Sequence, residues 1–345
     1  MTLSVEPYSD AGCRVVEHCP YCGGEGSAAV SGRDQVSSDG TYWRYSRCQN
    51  CGALWLKTVP NDLSPYYPAD YYTHSPAVLG GRIRALVVQA VLAARYGFPA
   101  SGTVRYLSQI MRAIPVDTGA SRFLMHVEHG KALDVGCGSG DFLYSLHLYG
   151  WEATGIEPDE RAARVCSDRG IKTIHADAEN AVVPANYFDA ITLHHSLEHM
   201  RNPAAVITRL AKALKPGGKL VVVTPNASGF LSRRFGPHWR SLDPPRHLSV
   251  STPRALSLTM ERAGLVADIR TASTNVRWVC RASAALRDRG SLRLPPSRLK
   301  VLSLTIASKV TVALDRSAGE EIICIAMKPG RSCPGDEGSV ANQSP

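Results

Sequence analysis

No part of this chain has the roughly 20 consecutive apolar residues that a membrane-spanning helix requires. The two longest apolar runs, Ala85–Ala94 and Val301–Leu314, are broken by Gln89 and Lys309. Residues 1–17 mix Glu, Asp and Arg and lack the basic start and greasy centre of an export signal. The expected location is the cytoplasm, with peripheral contact at the inner face of a membrane as an extension of it. Aromatic residues are sparse at 7%, yet 44% hydrophobic and 20% charged residues over 345 positions describe a globular chain. Its length suits one large domain and one smaller one. Acidic residues are scarce in one region: residues 231–300 hold 14 Arg or Lys against 4 Asp or Glu, within a net charge of +9. That imbalance points to an anionic partner (a phosphorylated small molecule, RNA or an acidic membrane) or to a solvated arginine-rich face.

Cysteine is not scarce. In a reducing compartment the ten cysteines should not form disulfides, so clustered ones read as metal ligands and scattered ones, such as Cys137, Cys166, Cys280, Cys324 and Cys333, as core. Cys19, Cys22, Cys48 and Cys51 form two C-x-x-C pairs, and Gly23 and Gly52 follow the second Cys of each pair. Four thiolates can close a tetrahedral Zn2+ shell, and glycine permits the backbone turn beneath each pair. Between the pairs, "TYWRYSR" at Thr41–Arg47 alternates like a strand. The reading is a zinc ribbon over residues 1–60 with a loose loop at Gly32–Gly40. A full four-Cys shell is structural, not catalytic.

Residues 61–126 read as a connector. "NDLSPYYPADYYTHSP" is too proline-rich for a helix or strand. From Val78 to Ile114 the pattern turns helical, with Ile83, Leu86, Val87, Ala90 and Val91 on one face and Arg82, Arg84 and Arg95 elsewhere. A packed helical segment is expected, with a membrane-surface helix as the alternative. Residues 330–345, rich in Gly, Ser and Pro, read as a disordered tail.

Residues 127–329 alternate strands and helices. Strands are expected at Lys131–Gly136, Glu152–Glu157, Lys172–Asp177, Phe188–His194, Lys219–Asn226, Leu265–Thr274 and Glu320–Lys328. Helices fit at Phe142–Tyr149, Glu160–Arg169 and Pro203–Leu214, the last stopped by "KPGG". This α/β rhythm predicts a parallel sheet covered on both faces, with its ligand over the carboxyl ends of the strands. The first strand ends in Asp134, Gly136, Gly138 and Gly140, and Asp141 stands where a dinucleotide fingerprint needs its third glycine. Acidic residues around the loop suit a ligand with a cationic head, such as S-adenosylmethionine, over a pyrophosphate. Glu157 is placed for the ribose hydroxyls, and Asp177 for the adenine amino group.

"LDVGCGSGDF", "TGIEP", "HADAEN", "FDAITLHHSLEHM" and "LKPGGKLVVVTPN", in this order, resemble the motifs of class I S-adenosylmethionine-dependent methyltransferases. The resemblance covers about Lys131–Asn226. It implies a Rossmann-like seven-stranded sheet, with Asp134, Gly136, Gly138 and Gly140 cradling the methionine part, Glu157 on the ribose, Asp177 and Ala178 near the adenine, and His194 at the cofactor. The whole chain is similar to a bacterial subgroup in which a four-Cys ribbon and a "YYPADYY"-like connector precede this fold. "DPPRHLSVSTPRAL", Asp243–Leu256, resembles a stretch of quinone-type O-methyltransferases.

Methyl transfer needs nucleophile, carbon and sulfur held in line, and a hydroxyl or carbon nucleophile also needs a base. His247, His199 and His195 are the candidates, His247 foremost, with Arg246 expected to hold a substrate anion. The expected acceptor is a small molecule (sugar, lipid, polyketide or quinone-like) methylated on oxygen, with carbon as the alternative. RNA is the second reading, but Cys19–Cys51 balances Arg33, Arg44 and Arg47 against Glu25, Asp34 and Asp39 and lacks a basic, aromatic face. A third is a cofactor-binding fold that docks through Val78–Ala94 and Ser297–Arg316. The oligomeric state is left open.

Overall fold

The computed structural model describes residues 12–36, 41–67, 100–113, 130–148, 150–273, 276–290 and 296–330, with isolated positions between 86 and 94 and at 292. Most of the expected connector and the expected disordered tail lie outside the described residues. The front of the chain forms β1 (Cys13–Val15), β2 (Gly26–Arg33), β3 (Tyr42–Cys48), β4 (Leu54–Leu56) and β5 (Thr58–Pro60), followed by α1 (Gly102–Ala113). In β3 the alternation read from the sequence appears as burial: Trp43 and Tyr45 are buried while Tyr42 and Arg44 are exposed. β2 takes in Gly32 and Arg33, so part of the expected loop is strand paired with β3.

The second region runs β6 (Lys131–Val135), α2 (Asp141–Leu148), β7 (Glu152–Glu157), α3 (Glu160–Asp168), β8 (Lys172–His175), β9 (Phe188–His194), α4 (Pro203–Ala213) and β10 (Leu214–Pro225). Helix starts are fixed by side-chain caps, which satisfy backbone N–H groups that have no intrahelical partner. The Asp159 carboxylate accepts from Arg161 N and Ala162 N, and the Asn202 amide oxygen accepts from Ala205 N ahead of Pro203. "KPGG" does end α4, but it also belongs to β10, as an irregularity between Leu214 and Lys219. Then come α5 (Phe230–Phe235), β11 (Ser249–Val250), α6 (Pro253–Arg262), β12 (Val266–Ala272), α7 (Val276–Arg289), α8 (Arg298–Leu314) and β13 (Glu321–Met327).

Seven strands form one sheet in the order β12-β13-β10-β9-β6-β7-β8. β10, β9, β6, β7 and β8 are parallel, but β13 is antiparallel to both β10 and β12, so the sheet is mixed and not wholly parallel. Periodicity marks which residues face the core and carries no strand direction. From β6 the chain moves one way to β7 and β8 and the other way to β9 and β10. The topological switch therefore lies between β6 and β9, and the ligand position of such sheets is the crevice at their carboxyl ends.

A second sheet of four strands, β11-β4-β3-β2, joins the two regions. β11 comes from the second region, yet it pairs with β4 of the first, Ser249 opposite Trp55 and Val250 opposite Leu54. The cores merge as well. Cys19, Cys22, Cys48, Cys51 and Trp55 share one buried cluster with Leu133, Leu197, Leu256 and Met260, and Trp43 and Tyr45 share another with Leu231, Trp239 and Leu248.

Candidate functional site

The glycine loop leaves β6 at the centre of the sheet. Asp134, the fourth residue of β6, is buried, and the Thr192 hydroxyl donates to its Oδ1 at 2.7 Å. Burial, with a smaller push from the nearby Glu157 carboxylate, raises the Asp134 carboxyl to about 7. Glu157 ends β7 and accepts from the N–H groups of Gly138, at 2.7 Å, and Asp159, at 3.0 Å. Two carboxylates that feel each other at one loop favour a positively charged guest and disfavour a pyrophosphate. This donor set fits the ammonium and sulfonium of S-adenosylmethionine. Asp141, counted with these acids from the sequence, is engaged elsewhere: Arg169 donates to its Oδ1 and to Ser139 O, both at 2.8 Å. Gly136 and Gly140 are also required by the protein's own packing. A Cβ on Gly136 would lie 2.6 Å from Ser196 Cβ, and one on Gly140 2.7 Å from Cys166 Sγ. Asp177 is exposed in the turn after β8, and Ala178 is half-buried beside the core. His194 ends β9 and is exposed, its ring edge-on to that of His195.

Just past β9 the candidate histidines separate into two environments. His195 takes a left-handed backbone, φ +53°. Its Nδ1 lies 3.3 Å from Glu198 Oε1 and its Nε2 3.3 Å from Glu321 Oε1. Burial works against the charged ring, but the two carboxylates outweigh it and raise His195 to about 10. Glu198 is fully buried and takes a hydrogen bond from Thr224 Oγ1 at 3.0 Å. Burial would raise its carboxyl, but His195 overturns this and brings it down to about 2. His195 is thus a cation at neutral pH and cannot take up a proton. Glu321, absent from the sequence reading, completes this triad from β13.

His199 and His247 form the second environment. Their rings meet edge to face at 4.8 Å. The Nδ1 of His199 faces Arg246 O at 2.9 Å, and the Nδ1 of His247 faces Ser241 O at 2.8 Å. A carbonyl can only accept, so each Nδ1 carries the hydrogen and the lone pair of a neutral ring is on Nε2. Tyr67 adds its hydroxyl 3.1 Å from His199 Nδ1. Burial, then the proximity of His199, lowers His247 to about 4, so it is neutral near pH 7. Glu198, His199 and His247 each bring one donor atom within 4.8 Å of the others. Tyr45 of β3 donates to His247 O at 2.6 Å, so the first region helps place this loop; no local motif announces that role.

Arg246 does not face a substrate. It is fully buried, donating to Asp34 Oδ1 at 2.8 Å, to Asp243 Oδ1 at 2.7 Å and to Tyr66 O at 3.2 Å. Burial opposes charge on Asp243, but Arg240 and Arg246 hold its carboxyl well below the usual range. The pairing clamps the His247 loop to the first region and corrects the expected anion-binding role. Other members of the basic surplus are also spent internally: Arg262 donates to Cys22 O, and Arg287 lies over the Phe235 ring.

The four cysteines come together as the spacing requires. Sγ of Cys19 and Cys51 are 3.6 Å apart, and those of Cys22 and Cys48 3.4 Å. Zinc–sulfur bonds of about 2.3 Å in a tetrahedron place sulfurs about 3.8 Å apart, so this donor set fits a zinc ion. Gly23 and Gly52 have φ of +72° and +76°, and their N–H groups donate back to Cys19 O and Cys48 O. Thr252, which caps α6, donates to Cys51 O at 2.6 Å.

The strand order, the glycine loop after the central strand and the acidic residue ending its neighbour define a Rossmann-like methyltransferase sheet. Residues 107–268 match the family model described as a methyltransferase domain, so this segment is a methyltransferase domain of the S-adenosylmethionine-dependent kind. Over 105 residues the chain is 34% identical to a ubiquinone biosynthesis O-methyltransferase of Marinobacter nauticus, covering 28% of this chain and 44% of that protein. An uncharacterised protein of Methanocaldococcus jannaschii is 27% identical over 110 residues, 32% of this chain and 52% of its own length. The chain thus spans about half the length of the curated relatives it matches. A SAM-dependent methyltransferase structure from Archaeoglobus fulgidus aligns at 18% identity, over 59% of this chain and 87% of its own, with a TM-score of 0.43.

Proposed function

We propose that this protein transfers a methyl group from S-adenosylmethionine to an oxygen of a small-molecule acceptor, with His247 as general base and a structural zinc in the four-Cys knuckles. The observation that carries this reading is the convergence, along the carboxyl edge of one sheet, of an acidic loop and the His199–His247 ring pair. When bound, S-adenosylmethionine supplies an electrophilic methyl group on a positively charged sulfur. Asp134 and Glu157 answer that charge, and Glu157 is placed for the ribose hydroxyls. His247 presents Nε2 to the acceptor hydroxyl and takes its proton as the new bond forms, while Ser241 O fixes the ring. His199 packs against it. His195, locked as a cation between two carboxylates, positions Glu198 and the end of β9.

RNA is disfavoured because the ribbon, Cys19–Cys51, balances Arg33, Arg44 and Arg47 against Glu25, Asp34 and Asp39 and so offers no net basic face. The ubiquinone O-methyltransferase likeness supports an oxygen acceptor over carbon. The purified protein, given labelled S-adenosylmethionine and a bacterial small-molecule extract, should label a soluble or lipid product. Label found only in RNA would reject this reading.

A further inference from the structure

We propose that the outward face of α8 docks on an anionic lipid bilayer. This inference does not depend on the identity of the acceptor. α8 is 17 residues long, about 25 Å at 1.5 Å per residue. Val301, Leu304 and Ser308 are buried on its inner side. On the other side Leu299, Leu302, Ile306, Val310 and Leu314 are 78%, 56%, 54%, 52% and 85% exposed. Their spacing of three or four residues puts them on one stripe, and Ala313 is exposed with them. One exposed leucine requires no explanation, but five large aliphatic side chains in one continuous stripe mark a contact surface.

The charges around the stripe select the occupant. Arg298 and Lys309 flank it and Arg316 follows its end, all three exposed. On the adjoining α7, Arg277 and Arg281 are exposed too. The exposed acids of this helix pair are engaged by their own chain. Lys300 Nζ bonds Asp288 at 2.5 Å, and Asp315 accepts from Ser317 N and Oγ. An apolar stripe with a cationic border matches the boundary of an anionic bilayer, where aliphatic side chains enter the acyl edge and Arg or Lys meet the headgroups. A second copy fits less well, because pairing the same face would bring two cationic borders together. Spanning is not at issue, since no helix among the described residues is long and apolar enough to cross a membrane.

The test is co-sedimentation of the full-length protein with vesicles of phosphatidylcholine alone and with a quarter of phosphatidylglycerol. Binding is expected only with the anionic lipid, weakened by high salt. Leu302→Gln with Ile306→Gln should weaken it by about tenfold or more. Arg298→Gln with Lys309→Gln should cost about fivefold per charge removed. Titration with S-adenosylhomocysteine and circular dichroism should be unchanged in both variants. If the first pair disturbs folding, the second, at exposed positions, carries the test alone. No anionic-vesicle binding, or wild-type binding by both variants, overturns the proposal. So does a dimer in sedimentation equilibrium that Leu302→Gln with Ile306→Gln dissolves while vesicles are ignored.

Discussion

The sheet from Lys131 to Met327 has a core cluster of its own, with Leu143, Cys166 and Ala190 at 0% exposure and no ribbon residue among them, whereas the ribbon at the front of the chain borrows its core. Trp55 and the four cysteines bury against Leu197, Leu256 and Met260, and Trp43 against Trp239 and Leu248. A module of that size has too little apolar interior to stand alone and needs a metal, a neighbour or both. Here the neighbour is the loop that holds His247. The ribbon is thus packed into the core of the sheet and against the loop that holds His247.

If that is right, the largest effect comes from the metal. Cys22→Ser with Cys48→Ser should abolish zinc content by atomic absorption and destabilise sheet and ribbon together, because structural zinc sites carry about 10–16 kcal/mol of apparent folding free energy. A sheet that still melts at its original temperature would separate the two regions again. Next is His247→Ala, expected to lower kcat by about 10²–10⁴-fold with S-adenosylhomocysteine affinity retained. An activity loss accompanied by loss of cofactor affinity would assign His247 to packing. Arg246→Ala should cost about 3–5 kcal/mol in chemical denaturation, since it leaves Asp34 buried without its cation and Asp243 with Arg240 alone.

The His195–Glu198 pair belongs to the sheet side of the comparison. His195 is raised from 6.5 to about 10, so its stabilisation is complete below pH 6.5 and is lost as the pH climbs toward 10. Glu198 is depressed from 4.5 to about 2, so its contribution is present above pH 4.5 and is lost on acidification toward 2. The contribution of this pair to the melting temperature should therefore plateau between these limits, and His195→Asn should flatten the alkaline limb. The smallest effect is Tyr45→Phe, about 1 kcal/mol for one hydrogen bond to His247 O, read from the denaturation midpoint. A neutral result there would leave the ribbon's hold on the loop to Arg246 and the β4–β11 pairing.

What the sequence disclosed was local. β7 and β9 have the bounds read from it, because a buried strand is a continuous apolar run between turn residues. The cysteine quartet and the glycine loop announce themselves through spacing. The failures were contacts between distant residues. Nothing near Arg246 betrays Asp34, 212 positions earlier, so an arginine beside a histidine looked like a substrate contact. Glu321 meets His195 only because β13 lies reversed against β10, and direction leaves no mark on periodicity. β11 is two residues long, too short for any pattern, yet it completes the ribbon's sheet. The run at Val301–Leu314 was legible as apolar, but apolar on both sides it could not say which side the fold would leave uncovered.

β11 also limits how such a chain can be divided. The span that matches the methyltransferase family, 107–268, contains β11 but neither the β4 strand it leans on nor β13, which fills the gap between β10 and β12. Excised at those borders, the segment would leave β10 and the remainder of β12 without β13, and β11 without β4, each edge a template for pairing with other chains. The ribbon could not be exchanged between relatives as a cassette unless the Asp243–Val250 stretch travelled with it.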